Sequence, residues 1–167
     1  GVIEGDRKIC RVQECEMGNL VADAMLDRVA DQGVTIAIAN SGGLRASIDA
    51  GDVTMGEVLT VLPFQNTLAT FQILGQVLID ALENGVSQVE EVAGRFPQVA
   101  GLRFVWNSNV APNEGRVSDV LVAMGGVFEP IDPEATYAVV TNNYVRTGGD
   151  GYKMFREGLN AYDYGPG

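Results

Sequence analysis

The 167-residue sequence contains no histidine, the commonest general base at neutral pH and a frequent zinc ligand. Its absence excludes Ser-His-Asp and Cys-His catalysis and any His-ligated zinc site within the chain. Two-metal phosphoesterase centres commonly use histidine as well, so hydrolysis by metals bound within this chain is not expected. An all-carboxylate magnesium or calcium site stays open as an alternative, although the sequence has no DxDxDG loop.

Positive charge is also scarce. The chain has 11 Lys and Arg against 22 Asp and Glu, which gives a net charge of −11. Such a chain repels phosphate backbones and anionic lipid headgroups, so nucleic acid polymers and membrane surfaces are poor partners. No apolar stretch approaches the roughly 20 residues that span a bilayer, so no membrane span is expected.

The chain has the length of one domain, and its 46% hydrophobic residues are typical of a globular fold rather than of disorder. It contains no internal repeat, low-complexity block or linker, so we expect residues 1–167 to form a single domain. The chain begins at Gly1 without an initiator methionine or a recognisable signal peptide. We therefore expect a mature form or a piece of a longer protein.

Apolar periodicity and turn residues predict the regular elements. Helices are predicted over residues 18–32, 54–62 and 76–89, the first ending at Gly33 and the second beginning at the Thr54/Glu57 capping box. Strands are predicted over residues 34–39, 68–74, 102–106, 117–124 and 137–141. Because helices dominate the first half and strands the second, we expect a mixed α/β domain, close to α+β, with some antiparallel pairing.

Three loops follow predicted strands or helices and carry side chains capable of binding a ligand, at residues 40–45, 62–66 and 142–151. The first contains two adjacent glycines, which allow close approach of a ligand to the backbone but are equally typical of a plain turn. The second contains an aromatic residue, and a loop aromatic most often packs into the core. Each loop by itself therefore leaves a structural role open.

Taken together, the loops supply what a nucleoside requires. Phe64 and Tyr144 offer flat rings for stacking, Asp150 offers a carboxylate for a ribose diol, and Arg45 offers a planar guanidinium for oxygen-rich or anionic groups. Asp150 also lies between glycines, with no helix to cap.

The two cysteines, Cys10 and Cys15, match neither a CxxC centre nor a four-ligand zinc site, and their spacing alone leaves a short disulfide and two free thiols equally open.

The motifs resemble the C-terminal, substrate-binding domain of the 5′-nucleotidase family, which also includes UDP-sugar hydrolases and 2′,3′-cyclic-nucleotide phosphodiesterases. They occur in the order of that family and cover roughly residues 10–155, as CRVQEC at 10–15, MGN at 17–19, NSGGLR at 40–45, LPF at 62–64 and TGGDG at 147–151. The resemblance implies a layered α/β/β/α domain. It also implies an N-terminal metallophosphoesterase domain in the same protein that holds two divalent metals, with no cofactor in this chain.

The resemblance also implies roles for individual residues. Phe64 and Tyr144 correspond to the two aromatics that sandwich the base, and Asp150 corresponds to the acid that holds the ribose hydroxyls. Tyr144 stands where phenylalanine is usual. We expect the tyrosine to keep the stacking and to add a hydroxyl that contacts ribose or water. Glu16 and Ser41 are further departures, standing where asparagine and glycine are common.

The remaining implied residues are polar. Arg11 and Arg45 correspond to arginines on the ribose and phosphate side, and Asn40 to the asparagine near the base. Cys10 and Cys15 are similar to a disulfide of animal members, which implies an oxidising location, periplasmic or extracellular.

The function expected from this resemblance is substrate recognition in a secreted hydrolase of nucleoside 5′-monophosphates, with no catalytic residue in this chain and no activity of the isolated chain. Two alternatives remain. One is the same role in a 2′,3′-cyclic-nucleotide phosphodiesterase or a UDP-sugar hydrolase. The other is a non-catalytic module that forms a homodimer or binds another protein, with purely structural loops.

Overall fold

The structure is a computed structural model that describes residues 1–164. Within these residues the α-helices are α1 (Arg7–Cys10), α2 (Glu16–Arg28), α3 (Met55–Val61), α4 (Gly75–Gly85) and α5 (Asn143–Arg146). The strands are β1 (Ile36–Asn40), β2 (Leu68–Leu74), β3 (Pro97–Ala100), β4 (Leu102–Trp106), β5 (Val117–Met124), β6 (Val127–Pro130), β7 (Thr136–Asn142) and β8 (Leu159–Asp163). None of the helices in this range has the length and apolar content to cross a bilayer.

The strands of residues 1–164 form two sheets. The larger has the order β3-β1-β7-β2-β8, in which β1 and β7 run parallel and the other neighbours antiparallel. The smaller is an antiparallel sheet of β4, β5 and β6. This architecture confirms the mixed α/β class and the antiparallel pairing predicted from the sequence.

Strand β1 shows how the larger sheet is covered on both faces. All five of its residues are buried, and successive side chains point to opposite faces. Ile36 and Ile38 belong to the main core, which α4 and the smaller sheet complete. Ala37 and Ala39 belong to a second core under α2. A strand buried on both faces has a continuous apolar sequence, which is why β1 was predictable.

The observed start of α3 agrees with the prediction, whereas the boundaries of α2 and α4 differ from the predicted ones. Helix α3 begins at the predicted capping box, where the Thr54 hydroxyl accepts a hydrogen bond from the Glu57 backbone N–H and the Glu57 carboxylate accepts one from the Thr54 N–H. Helix α2 begins earlier than predicted, because the Cys15 sulfur caps it. A 3-10 turn over Ala30–Gln32 follows it, and Gly33, with a φ of 70°, caps that turn. Helix α4 ends at Gly85, four residues before the predicted end.

The helices α1 and α5 and the strands β3, β6 and β8 were not predicted. The helices are single turns of four residues, and all five residues of β8 are exposed and show no apolar alternation. Such elements form because of their neighbours in the fold rather than because of a local pattern.

The sheet order brings the three candidate loops together. Parallel β1 and β7 end side by side, at Asn40 and Asn142, so the loops that follow them leave from the same edge. Strand β2 runs antiparallel to β7 with Leu68 opposite Asn142, so the loop that precedes β2 arrives at that edge. Ligands of α/β proteins commonly bind at the carboxyl ends of such strands.

Candidate ligand-binding cleft

The three loops surround a cleft of about 520 Å³, which lies within the size range of small-molecule sites. Its lining consists of Arg11, Asn40, Gly42, Gly43, Arg45, Phe64, Asn66, Gly94, Tyr144 and Asp150. All six residues predicted to bind substrate are therefore brought together, although they come from positions as far apart as 11 and 150 in the chain. Asn66 and Gly94 also line the cleft and were not singled out from the sequence.

Two aromatic rings in the cleft are exposed instead of packing into the core. Phe64 is 56% exposed and Tyr144 is 46% exposed. The guanidinium carbon of Arg45 lies 5.6 Å from the centroid of the Phe64 ring, a cation–π arrangement. The Tyr144 ring rests against the backbone of Gly149, where a Cβ atom would come within 2.6 Å of three ring atoms. Exposed rings of this kind can stack on a flat ligand.

A hydrogen-bonded network connects the ends of β1 and β7 to Asp150. The Asn142 amide donates to Asn40 Oδ1 at 2.9 Å, and the Asn40 amide donates to Asp150 Oδ2 at 2.6 Å. Asn40 is only 5% exposed, so its orientation is set by these bonds and by packing. An ionised carboxylate has about four lone-pair sites, and Asp150 therefore keeps acceptor capacity for a ligand in the cleft.

The tyrosine at position 144 makes a contact that the sequence did not predict. Its hydroxyl donates to Asp150 Oδ1 at 3.0 Å, and the contact with ribose or water expected of this hydroxyl stays a prediction. Burial, followed by the nearby Asp150 charge and hydrogen bond, raises the pKa of Tyr144 above its usual value of 10.0. The hydroxyl is therefore protonated at neutral pH and able to donate.

Arg11 and Arg45 bring positive charge to the cleft of an otherwise acidic chain. Arg11 donates from Nη1 to the Val92 carbonyl at 3.3 Å, and its Nε is buried with no hydrogen-bond partner within residues 1–164. Burial and then the neighbouring Arg45 lower the pKa of the Arg11 guanidinium from its ordinary value, but arginine remains protonated in proteins. Two guanidinium groups at one cleft suit an anionic or oxygen-rich ligand.

Arg11 lies in a loop that is closed covalently and held by a buried amide. Cys10 and Cys15 form a disulfide with an S–S distance of 2.04 Å, the pairing that the resemblance implied. Gln98 of β3, 1% exposed, donates from Nε2 to the carbonyls of Cys10 and Gln13, while its Oε1 accepts from the Cys15 N–H. No sequence signal identified Gln98, because its role depends on strand pairing that places β3 beside the loop.

Gly42 of the first loop makes a close backbone contact that was not considered from the sequence. Gly42 donates its N–H to the Gly94 carbonyl at 2.7 Å, and a Cβ on Gly42 would lie 3.1 Å from the Gly94 Cα. The close approach at Gly42 is thus between two protein backbones, which together form part of the cleft wall.

The cleft can bind a ligand through stacking, hydrogen bonding and charge. Within residues 1–164, no group of three or more His, Cys, Asp or Glu side chains is placed to hold a metal ion. The two metals of a phosphoesterase centre therefore do not fit the described residues, and we assign no hydrolytic step to them.

Comparison with known proteins identified relatives by sequence and by structure. The model of the family described as 5′-nucleotidase, C-terminal domain, matches residues 1–157. The chain is 42% identical over 164 residues to the trifunctional nucleotide phosphoesterase protein YfkN of Bacillus subtilis, an alignment that covers 98% of this chain and 11% of YfkN. It is 33% identical over 176 residues to human 5′-nucleotidase, covering 98% of this chain and 31% of that protein.

Among solved structures, the chain is similar to a 5′-nucleotidase precursor from Thermus thermophilus, with a TM-score of 0.93 and 43% identity. That match covers 97% of this chain and 32% of the Thermus chain. The chain thus spans less than a third of the length of each of these three relatives.

Proposed function

The chain belongs to the 5′-nucleotidase C-terminal domain family, and on that premise we propose that its cleft binds the base and ribose of a nucleoside 5′-monophosphate. The observation that carries the proposal is the meeting of two exposed aromatic rings, one carboxylate and two guanidinium groups in a single cleft. Each group suits a different part of a nucleotide. The names of the relatives, nucleotide phosphoesterase and 5′-nucleotidase, support the same ligand class.

The proposed pose follows from the chemistry of the lining. The base stacks between the Phe64 and Tyr144 rings, and Asn40 lies near its edge. Asp150 accepts hydrogen bonds from the ribose hydroxyls. Arg11 and Arg45 contact the ribose and phosphate side, where their charge favours an anion. These contacts would orient the phosphate ester relative to the groups that cleave it, which is a major source of rate enhancement.

The hydrolytic chemistry itself belongs, in this proposal, to another part of a longer protein. A separate N-terminal domain with two divalent metal ions would supply the attacking hydroxide, and this chain would supply binding and orientation. The isolated chain would then be inactive. Phosphate release from AMP by this purified chain with added Mg²⁺ or Mn²⁺ would contradict the division of labour.

The disulfide supports a location outside the cytoplasm. Such bonds form and persist in oxidising compartments, and the Cys10–Cys15 bond closes a loop that contributes Arg11 to the cleft. We therefore propose a periplasmic or extracellular protein.

The binding proposal can be tested by NMR titration of the chain with AMP and with ribose 5-phosphate, a method that detects millimolar affinity. Phe64→Ala and Tyr144→Ala should each weaken AMP binding by about tenfold, since base–aromatic stacking contributes roughly 1–3 kcal/mol per base. Ribose 5-phosphate, which has no base, should lose little affinity in Phe64→Ala.

Tyr162→Ala is the matched control. Tyr162 is a 61% exposed aromatic on β8, outside the cleft lining, so its loss should leave both affinities unchanged. If the unaltered chain does not bind AMP, or if the Phe64 and Tyr144 variants bind AMP as the unaltered chain does, the proposal is wrong. A purely structural or dimer-forming role for the loops would then be favoured.

A further inference from the structure

Asp150 has a backbone conformation that needs support. Its φ of 51° and ψ of 28° are in the left-handed region, which is costly for a residue with a side chain. Two hydrogen bonds hold this backbone: its N–H donates to the Tyr144 hydroxyl at 3.3 Å, and its carbonyl accepts from the Asn84 amide at 3.0 Å. The conformation is thus stabilised by side chains from two other elements.

The carboxylate of Asp150 is held on both oxygens. Oδ1 accepts from the Tyr144 hydroxyl at 3.0 Å and Oδ2 accepts from the Asn40 amide at 2.6 Å. The Tyr144 hydroxyl therefore both donates to and accepts from the same residue. Its ring lies directly against the backbone of Gly149.

This arrangement fixes the direction of the lone pairs that remain on the carboxylate. Two neighbouring oxygens with known orientation match two hydroxyls on adjacent carbon atoms. Binding to a group that is already oriented avoids the entropy of ordering it. Asp150 engages the donor of the Tyr144 hydroxyl and one of its two acceptor lone pairs, so the contacts of this hydroxyl in the structure hold the acid.

We propose that Tyr144, through its hydroxyl, is a positioning residue for Asp150, and that this contact increases the preference of the cleft for ligands with a 2′,3′-diol over ligands without one. The inference rests on the proposed function, since it presupposes a nucleoside in the cleft. It adds that one side chain couples two recognition steps: its ring stacks on the base while its hydroxyl orients the acid for the sugar.

The test is the variant Tyr144→Phe, which keeps the ring and removes the hydroxyl. The chain and the variant are titrated by NMR with adenosine and with 2′,3′-dideoxyadenosine, which have the same base and differ in the diol. We expect adenosine affinity to fall by about three- to tenfold in the variant, as for loss of a typical intramolecular hydrogen bond. Dideoxyadenosine affinity should stay within about twofold, because its contacts with the rings are unchanged.

The decisive readout is the ratio of the two affinities. A general loss of folding or stacking would weaken both ligands equally and leave the ratio unchanged, and this result would overturn the inference. Tyr162→Phe removes the same atom from an exposed tyrosine outside the cleft and should leave the ratio as it is in the unaltered chain.

Asp150→Asn provides a second, independent variant. If Tyr144 acts through Asp150, adding Tyr144→Phe to Asp150→Asn should change the ratio little further, whereas independent effects would add. A chain that binds both nucleosides with a ratio insensitive to Tyr144→Phe would refute the positioning role and leave the proposed function intact. A chain that binds neither nucleoside would refute the proposed function and this inference with it.

Discussion

Replacing Gln98 by leucine tests whether a buried amide holds the loop that carries Arg11. The substitution keeps the approximate volume of the side chain, so little cavity or strain is introduced. It removes two hydrogen bonds to carbonyls, at 2.7 and 2.8 Å, and one from a backbone N–H, at 3.2 Å. Those three backbone groups lose their partner inside a region where Gln98 itself is only 1% exposed.

The magnitude follows from these three groups. An unsatisfied buried polar group costs roughly 1–3 kcal/mol, and we use about 1 kcal/mol for each because the loop lies near the surface and water can reach part of it. The free energy of unfolding should therefore fall by about 3 kcal/mol. For a domain of this length, 1 kcal/mol corresponds to about 2–4 °C in Tm, so the melting temperature should fall by about 6–12 °C.

The assay is thermal and urea unfolding of the oxidised protein, followed by circular dichroism. Gln76→Leu is the control, because the exposed Gln76 side chain on α4 donates a hydrogen bond to the Asp80 side chain at 2.9 Å. Loss of this bond should cost at most about 0.5 kcal/mol. If the free energy of unfolding of Gln98→Leu lies within about 1 kcal/mol of that of the unaltered chain, the buried hydrogen bonds do not stabilise the loop as argued.

Two further substitutions test other contacts. Glu90→Gln removes the carboxylate that pairs with buried Arg116 at 2.6 Å. The hydrogen bond from Arg116 lowers the pKa of Glu90 from its ordinary value of 4.5. The ion pair therefore stabilises the fold above pH 4.5, and this stabilisation is lost as the pH falls through the lowered pKa. At pH 7 the Tm of Glu90→Gln should lie below that of the unaltered chain, and the difference should narrow in acid. Glu91→Gln is the control and should not lower the Tm in this way. A Tm difference that does not depend on pH would contradict the prediction. Gly149→Ala places a methyl group 2.5 Å from the Tyr144 ring. AMP affinity should therefore fall by about tenfold, with a small change in Tm. An unchanged affinity would show that the position of the ring is unimportant for binding.

Local sequence patterns were sufficient for the elements that are strongly periodic or clearly capped. The continuous apolar run of β1 predicted a buried strand, and the Thr54/Glu57 pair predicted the beginning of α3. Both signals arise from interactions within a few residues of the chain. Strand β8 carries no such signal, since it is exposed along its whole length and is ordered by pairing with β2.

The candidate site shows the same division. The residues that the sequence predicted to bind substrate include Phe64, Tyr144 and Asp150, and the structure brings them into one cleft. The sequence did not predict that the tyrosine hydroxyl bonds the acid. Nor did it predict that Gln98 supports the loop of Arg11, because both contacts depend on the folded arrangement of neighbouring segments.

The sequence by itself determined the chemistry available to this protein. The chain has no histidine, and its predicted loops contain aromatic rings, an acid and guanidinium groups. Tertiary structure alone decided that these groups meet: Asn40 bonds Asp150 across 110 positions of sequence. The physical reason is strand pairing, since parallel β1 and β7 beside antiparallel β2 bring three distant loops to one edge of the sheet, and such non-local pairing leaves no trace in local periodicity.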